Sequence, residues 1–362
     1  MNTAKIVIGL GYGDEGKGIT TDFLSNKNNQ IVVRFSGGQQ AGHTVIKNNI
    51  KHIHSSFGSG TLNGIPSYFT EDCTFHPTYI INECKILNSN GIIPRLFIHP
   101  LAKMTTPFDV IANKTDNKNL SDGTCGMGVG KTMKRCIESP YKLYAIDLLH
   151  LPSLYIKLKN IAKYYGIDYE DPSVRNQIEY YLECIDLLIN SEYLSFKIED
   201  YNYLITYDNL VFEGSQGILL DMDHGIFPHV TYANTTSKNA IKICELLGIT
   251  NIETYYVTRC YSTRHGSGPF KEKNIKLINT KEEINKFDKY QKEFKISEID
   301  YNLLNYSLNI DKIYNYYLNY NLVITCLDQR PEFKFEMDKL DTNFNSIWGS
   351  YSAISGNFKK LK

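Results

Sequence analysis

The stretch that most constrains the fold lies near the N-terminus, where a short apolar run meets a dense cluster of glycines. Ile6, Val7 and Ile8 form the run, and the residues from Gly11 to Lys17 then read G-x-x-x-x-G-K. This is the spacing of a phosphate-binding loop. A strand followed by such a loop and a helix aims backbone N–H groups and a helix N-terminus at phosphate oxygens. The stretch therefore predicts an α/β fold with a P-loop-like nucleotide site after its first strand.

This loop departs from an ordinary phosphate-binding loop directly after the lysine. Gly18 stands where such loops carry the Ser or Thr that ligates Mg²⁺, and the loop contains two acids, Asp14 and Glu15. A carboxylate beside phosphates is repelled unless a cation lies between them or the carboxylate works on a proton. We therefore expect Asp14 or Glu15 to be a Mg²⁺ ligand, a general base, or both. The alternative is a solvated turn.

Further glycine-rich segments follow apparent strands. The apolar residues 30–36 run into GGQQAGHT, in which His43 is a candidate general acid or phosphate contact, or a structural hydrogen bonder. A third glycine loop at 121–131 is able to wrap an anion, and its alternative is a surface linker. The segment 210–234 follows another strand and gathers acids and histidines, including D-M-D-H. That run suits a metal site or an extended segment with polar groups on one face.

The last strong strand pattern ends at an acid. NLVITCL, residues 321–327, precedes Asp328, and an acid at the C-terminal edge of such a strand lies where α/β sheets bind ligands. The Asp328 carboxylate can accept two N–H bonds from a guanine edge, or it starts a turn. Residues 144–204 have a helical period and no recognisable chemistry, which predicts a helical insertion. We expect one α/β domain over 1–362 whose loops converge at one edge of the sheet.

Composition limits the partners. The chain has 39 basic and 39 acidic residues, so net charge gives no case for nucleic acid or an anionic membrane. No apolar run is long enough to span a bilayer, and the N-terminus has no signal-peptide apolar region. The eight cysteines form no C-x-x-C pair and are expected to be reduced thiols. We therefore expect a cytoplasmic protein.

Five motifs, in order, resemble the adenylosuccinate synthetase family: GYGDEGKG, GGQQAGHT, FEGSQGILLDMDHGIFPHVT, YSTRHGSGPF and TCLD. They span nearly the whole chain, and together they are far more specific than one phosphate-binding loop. The resemblance implies a large, mainly parallel sheet with helices on both faces, and a cytoplasmic homodimer. It also implies a ligase that joins IMP and aspartate, with GTP as co-substrate and Mg²⁺ as cofactor, in a step of AMP synthesis.

The resemblance also implies how such a site works. Asp14 takes the N1 proton of the purine, and the 6-oxygen then attacks the γ-phosphorus of GTP. His43 acts as the acid at the phosphoryl bridge, while Lys17 and the loop N–H groups hold the phosphates. Asp14 and the backbone carbonyl of Gly42 bind Mg²⁺. The amino group of aspartate then displaces the 6-phosphoryl group, so positioning and electrostatics carry the catalysis.

The remaining site residues implied by the resemblance fall into two groups. The residues expected around the nucleoside triphosphate are Gly13, Glu15, Gly16, Gly18, Gly42, Thr44, Asp328, Ser355 and Gly356. The residues expected around the purine monophosphate and the amino acid are Gln40, Thr124, Cys125, Arg135, Gln216, Thr231, Gln291 and Lys295. Within these groups, Gln216 and Thr231 are expected at the ribose-phosphate and Asp328 at the guanine base.

Several positions depart from the family pattern. Tyr12 replaces a Trp, and Gln40 replaces an Asn that contacts phosphate. Cys125 replaces a Thr and is a poor phosphate donor, so we expect Thr124 to take over. The arginine that one subunit lends to the IMP phosphate of its partner has no aligned equivalent, and Arg135 is the nearest candidate. The lysine that precedes the guanine-binding Asp is also missing.

The largest departure follows Phe270. The family's arginine-rich loop, T-T-G-R-R-R-R, is replaced by residues 290–300, whose only cations are Lys292 and Lys295. Lysine attracts a carboxylate but cannot bind it in a bidentate fork. This shorter form resembles a branch that includes phage enzymes making 2-aminoadenylosuccinate from dGMP. Those enzymes tend to lack the acid that Asp14 provides here. The presence of Asp14 therefore favours IMP over dGMP as the substrate. The open alternatives are dGMP or dIMP, ATP, another amino acid, and a nucleotide-binding regulator without catalysis.

Overall fold

A computed structural model of the chain describes residues 2–26, 28–116, 124–279 and 294–362. The α-helices in these ranges are α1 Lys17–Leu24, α2 Pro77–Ser89, α3 Pro107–Thr115, α4 Val129–Glu138, α5 Leu151–Tyr164, α6 Pro172–Asn190, α7 Lys238–Leu246 and α8 Tyr301–Asp311. The strands are β1 Thr3–Gly9, β2 Gln30–Arg34, β3 His43–Lys47, β4 Ile50–His54, β5 Ser67–Phe69, β6 Thr74–Phe75, β7 Arg95–Ile98, β8 Lys103–Met104, β9 Ser195–Ile198, β10 Asn209–Gly217, β11 Asn251–Arg259, β12 Ser262–His265, β13 Phe294–Ser297, β14 Tyr320–Thr325, β15 Ser346–Ser350 and β16 Phe358–Lys360.

One large sheet organises these elements. It has ten strands in the order β16-β15-β14-β11-β1-β10-β2-β5-β7-β9. Neighbouring strands are parallel except at one edge, where β15 and β16 are antiparallel. The predicted mainly parallel α/β sheet is confirmed. The pairs β3–β4 and β12–β13 form separate antiparallel ribbons.

The two faces of the sheet are both covered by helices, as the resemblance implied. Ile6 and Ile8 of β1 pack in a core that includes Ala240 of α7 and Leu304 of α8. Val7, between them, packs on the opposite face with residues that include Leu24 of α1. Burial on both faces explains why the central strands are continuous apolar runs rather than alternating ones.

The segment 144–204 is largely helical, with α5 and α6 as its main elements. Leu158 and Tyr181 from these helices pack in a second core with Ile80 of α2 and Leu96 of β7. The segment also contributes β9, which extends the edge of the large sheet beside β7. The helical period did not predict this strand, because four residues at a sheet edge carry too little pattern to be distinguished from a loop.

No helix within the described ranges is both long and apolar enough to cross a membrane.

Candidate active site

The loops that follow the central strands meet at one edge of the sheet. Because β1, β10, β11 and β14 are neighbouring parallel strands, their C-terminal ends lie side by side. The glycine loop follows β1, Glu213 lies in the middle of β10, Arg259 ends β11, and Asp328 follows β14. This edge is where open α/β sheets bind ligands.

The glycine loop between β1 and α1 closes around its own Glu15. That side chain is only 3% exposed. Its Oε1 accepts hydrogen bonds from the backbone N–H of Gly11 at 3.0 Å and of Gly13 at 2.8 Å, and its Oε2 lies 2.5 Å from the Lys17 ammonium. The loop therefore holds an anion with its backbone N–H groups, but the anion is the loop's own carboxylate. Since both oxygens are engaged, Glu15 is not placed to ligate Mg²⁺ or to act as a base.

Two glycines around Lys17 are needed for close packing. Gly16, the residue before α1, has φ +96°, and a Cβ there would lie 2.9 Å from the Thr325 side chain. At Gly18 a Cβ would lie 2.8 Å from the Cβ of His43. Gly18 thus lets the first turn of α1 approach the start of β3, which gives a packing reason for the missing Ser or Thr. Both glycines were predicted at the nucleotide, and Lys17 between them is 3% exposed.

Asp14 is held at the tip of the loop. It has φ +60°, and its side chain is 44% exposed. Its Oδ2 lies 3.0 Å from Nε2 of His265, and its backbone carbonyl accepts a hydrogen bond from Arg259. A carboxylate only accepts hydrogen bonds, so Nε2 of His265 carries the proton. Desolvation raises the pKa of the Asp14 carboxyl, but the His265 hydrogen bond and the charges of Arg259 and Lys17 outweigh it and hold that pKa below its ordinary value.

His43 is oriented by a buried carboxylate. Its Nδ1 lies 2.6 Å from Oε1 of Glu213, and this oxygen also accepts a hydrogen bond from the Ser59 hydroxyl. The other carboxylate oxygen, Oε2, accepts a hydrogen bond from the backbone N–H of Ser59 at 3.1 Å. Burial raises the pKa of Glu213, yet the hydrogen bonds from His43 and Ser59 and the positive charge of Arg34 lower that pKa to about 2. Burial lowers the pKa of His43. The ring is therefore neutral, with Nδ1–H donated to Glu213 and Nε2 left for a ligand.

Lys17 connects these two groups electrostatically. Its positive charge lowers the pKa of both the Asp14 carboxyl and the His43 imidazole. Lys17 immediately precedes Gly18, which packs on His43, and lies three positions after Asp14. The arrangement thus brings an ionised acid and a neutral imidazole within reach of one cation, at the start of α1.

A cavity of about 570 Å³ gathers most of the residues predicted for the substrate. Its lining includes Gln40, Thr124, Cys125, Gln216 and Thr231. His265, the partner of Asp14, lines the same cavity, hereafter the Gln216 cavity. Oε1 of Gln40 is buried there without a hydrogen-bond partner. These residues come from loops far apart in the sequence, and the fold brings them together in one cavity.

A second cavity of about 540 Å³ adjoins the glycine loop. It is lined by Gly13 and Glu15, together with residues that include Arg259, Lys271 and Asp300. The guanidinium of Arg264, which lines the Gln216 cavity, lies 4.3 Å from the ring centroid of Tyr12, which lines the second cavity. The aromatic ring that replaces the family's Trp therefore forms part of the wall between the two cavities.

Other predicted residues lie outside both cavities. Gly42 and Thr44 are exposed beside His43. Ser355, followed by Gly356, donates its backbone N–H to the carbonyl of Ile46 in β3 at 2.8 Å, and its hydroxyl donates to Asp22. These residues therefore share the neighbourhood of the β3–β4 ribbon. Asp328 accepts a 2.7 Å hydrogen bond from the side chain of Gln329.

The segment that replaces the arginine-rich loop is described only from Phe294 onward. Gln291 and Lys292 lie outside the described residues, as do positions 121–123 of the third glycine loop. Nζ of Lys295 lies 3.5 Å from a carboxylate oxygen of Glu272. Lys295 lines neither of the two cavities described above.

Arg135 does not fit the predicted role at the IMP phosphate of a partner subunit. Its side chain is fully buried. The guanidinium binds Asp109 through Nε at 2.8 Å and Nη2 at 2.9 Å, and it also donates to the carbonyls of Met104 and Tyr141. The expectation was wrong because position near a motif in the sequence does not reveal that a side chain points into the core.

We expect Arg135→Met to destabilise the fold rather than to weaken substrate binding. The substitution leaves the buried Asp109 carboxylate without its cation, which costs about 3–5 kcal/mol. Urea unfolding measures this change, and Arg175→Met is the matched control, because Arg175 pairs with Glu179 on an exposed helix surface. The control should change the free energy of unfolding by less than about 1 kcal/mol. An Arg135→Met protein with unchanged stability would contradict the structural role.

Sequence reasoning did not assign roles to the partners of the two central residues. Glu213 is one of several acids in the segment 210–234, and His265 belongs to the motif YSTRHGSGPF. Neither residue, nor Arg259, received a role of its own. The signal for Glu213 was present, since it ends the apolar run LVF in the same way that Asp328 ends NLVITCL. No local pattern links His265 to Asp14, because the two lie some 250 residues apart.

The comparisons with known proteins agree on one family. The family model described as adenylosuccinate synthetase matches residues 6–329. The adenylosuccinate synthetase of Buchnera aphidicola subsp. Schizaphis graminum is 33% identical over 289 residues, which cover 75% of this chain and 65% of that protein. The enzyme of the same name from Borrelia recurrentis is 32% identical over 287 residues, covering 73% and 63%. The chain thus spans just under two thirds of the length of these curated relatives.

Two solved structures share the fold. The fully ligated adenylosuccinate synthetase from Plasmodium falciparum superposes with a TM-score of 0.75 at 19% identity, covering 100% of both chains. The succinoaminodeoxyadenylate synthetase of cyanophage S-2L, bound to dGMP and to dATP as an energy donor, superposes with a TM-score of 0.70 at 13% identity, covering 99% of this chain and 95% of that one. With the family model matched over most of its length, this chain belongs to the adenylosuccinate synthetase family.

Proposed function

We propose that this protein is a GTP-dependent ligase that joins IMP and aspartate to form adenylosuccinate through a 6-phosphoryl-IMP intermediate. The observation that carries the proposal is that an ionised Asp14 is held by His265, which lines the Gln216 cavity, while Glu213 orients His43. A protein that only sensed nucleotides would need neither a proton acceptor nor an oriented imidazole. Because the chain belongs to the adenylosuccinate synthetase family, we also propose that it is a cytoplasmic homodimer.

The first proton transfer is assigned to Asp14. Its depressed pKa keeps the carboxyl ionised, and its exposure of 44% leaves it accessible from the ligand side. The carboxylate takes the N1 proton of the purine, and negative charge moves to the 6-oxygen. That oxygen attacks the γ-phosphorus of GTP, the bond to the bridging oxygen breaks, and GDP leaves. His265 orients the acceptor by donating from Nε2.

We assign to His43 the stabilisation of the negative charge that develops on the bridging oxygen as GDP leaves. With Nδ1–H held by Glu213, only Nε2 is directed to a ligand. A bound triphosphate brings negative charge that favours the imidazolium form, which opposes the effect of burial on the His43 pKa. A protonated Nε2 then donates to the bridging oxygen as GDP departs. Glu213 keeps the positive ring electrostatically balanced in the protein interior.

The residues present suit a bound Mg²⁺. Asp14 offers a carboxylate and Gly42 a backbone carbonyl, both oxygen donors of the kind Mg²⁺ prefers, and both residues are exposed. Lys17 is already paired with Glu15 at 2.5 Å, so a triphosphate needs a further cation. When bound, Mg²⁺ would neutralise part of the phosphate charge.

The second step joins the amino acid. The aspartate amino group attacks C6 of the activated purine, its bond to C6 forms, and inorganic phosphate leaves. The residues Gln40, Thr124, Gln216 and Thr231, which line the Gln216 cavity, are proposed to hold the purine monophosphate during both steps.

A substrate matrix tests this proposal. Phosphate release and product mass are measured with IMP, dIMP or dGMP, with GTP or ATP, and with aspartate or another amino acid. We expect turnover with IMP, GTP and aspartate together, and none when the amino acid is omitted. Phosphate release with dGMP but not IMP would replace the substrate assignment with that of the phage type. Calorimetric nucleotide binding without phosphate release in any combination would favour a regulator instead.

A further inference from the structure

The β3–β4 ribbon presents a second group of chemistry-bearing residues beside the proposed active site. His52 and His54 of β4 point to the buried face of the ribbon, and Glu83 of α2 approaches them there. Nε2 of His52 lies 3.1 Å from Oε1 of Glu83. Within the described part of the chain, only this trio brings three such side chains together, with one ligand atom from each within 4.8 Å of the others.

The Glu83 carboxylate is fixed by the backbone. Its Oε2 accepts hydrogen bonds from the N–H of Ser55 at 3.0 Å and of Ser56 at 2.6 Å. These bonds hold the carboxylate in one orientation and leave Oε1 directed at the two imidazoles. A buried carboxylate with one oxygen fully committed and the other facing two histidines is a preorganised donor set for a cation.

His54 is the observation that requires an explanation. The side chain is fully buried, and neither ring nitrogen has a hydrogen-bond partner. An unsatisfied buried donor or acceptor costs about 1–3 kcal/mol, so a ring with two such atoms indicates that something is bound there. The hydroxyl of neighbouring Ser56 is also buried without a partner.

We propose that His52, His54 and Glu83 form a binding site for a divalent transition-metal ion of the Zn²⁺ class. Two imidazoles and a carboxylate are typical Zn²⁺ ligands, and a fourth position is open to water. Metal–ligand bonds of about 2.0–2.1 Å place tetrahedral ligand atoms roughly 3.3 Å apart. The 3.1 Å between His52 and Glu83 already matches such an edge. The ligand atoms of the three side chains lie within 4.8 Å of one another. Binding an ion therefore requires the His54 ring to move inward until its nitrogen is roughly 3.3 Å from the other two ligand atoms.

The site would add a further link between β4 and α2, which Glu83 already connects through its hydrogen bonds with His52, Ser55 and Ser56. The metal ties β4 to α2 through His54 and Glu83. His54 is the cross-strand partner of His43 in the ribbon, so the same ion stabilises the strand that carries His43. The ion is structural and does not depend on which substrates the protein uses.

The test measures binding of Zn²⁺ alone to the full chain. Protein stripped with a chelator is titrated with Zn²⁺ in competition with a chromophoric chelator, and bound metal is counted by mass spectrometry of the desalted protein. Co²⁺ loading provides the absorption spectrum expected of a tetrahedral site. We expect one tightly bound ion, and an increase in Tm when it binds.

Two variants and one control locate the ion. His54→Leu removes a ligand and fills the buried space, and Glu83→Gln keeps an acceptor for the Ser55 and Ser56 N–H groups. Each substitution should weaken Zn²⁺ binding by at least about tenfold. Even the loss of a group that only hydrogen-bonds to a metal ligand has an effect of that size. His265→Asn removes the histidine near Asp14 and should retain the ion.

Failure of the proposal has clear signatures. Wild-type protein that keeps no Zn²⁺ against the chelator would leave a buried water as the occupant and overturn the site. Equal Zn²⁺ retention by His54→Leu or Glu83→Gln would do the same. If His54→Leu does not fold, Glu83→Gln alone decides. None of these measurements involves turnover, so they stand apart from the ligase assignment.

Discussion

Asp14→Asn is expected to reduce kcat by about a thousandfold while nucleotide affinity stays within about tenfold of wild type. The amide is isosteric but cannot take a proton from the purine. Asparagine tolerates the left-handed backbone at this position, φ +60°, and its side-chain oxygen can still accept the His265 hydrogen bond. The loop should therefore keep its shape, and the loss should appear in the chemical step.

Phosphate release gives kcat, and calorimetry with each nucleotide gives affinity for the Asp14→Asn protein. His265→Leu is the matched control, because leucine cannot donate a hydrogen bond to Asp14 and the carboxylate remains. Its effect on kcat should be much smaller than that of Asp14→Asn. An Asp14→Asn protein with activity comparable to wild type would remove Asp14 from the proton-transfer step.

His43→Asn is expected to lower kcat by about a hundredfold or more. The amide cannot carry the proton that stabilises the leaving phosphoryl bridge. Since the imidazole is buried against Glu213 and Gly18, thermal unfolding must accompany the kinetics to show that the variant is folded. KM for the nucleotides should change little, because the interaction is made mainly as the bridge breaks.

Glu213→Gln separates orientation from acid catalysis. The amide oxygen introduced by this substitution can still accept the Nδ1–H of His43 and the hydrogen bond of the Ser59 hydroxyl, but the neutral amide no longer balances a positive ring. We expect kcat to fall less than in His43→Asn, and the pH profile of kcat to shift toward lower pH, since the carboxylate raises the pKa of the imidazole. A Glu213→Gln protein with an unchanged pH profile would reduce Glu213 to a packing role.

Much of the fold was readable from the chain because its signals are local. A buried parallel strand needs a continuous apolar run, and β1, β2 and β14 each have one. Helix α2 begins at Pro77, whose fixed backbone angle suits a first turn. β9 lacked such a signal, because a short edge strand is defined by the neighbour it pairs with.

The sequence by itself determined that a strand, a glycine loop and a helix would form an anion-binding turn, and that Asp14 and His43 would each follow a strand of the sheet at the same edge. Only the tertiary structure decided which anion the turn holds, that Arg135 belongs to the core, and that Glu213 and His265 are the partners of the central pair. The physical reason is the distance along the chain over which each kind of interaction acts. Backbone geometry depends on adjacent residues, whereas the charge state and orientation of a side chain depend on groups brought beside it from distant parts of the chain.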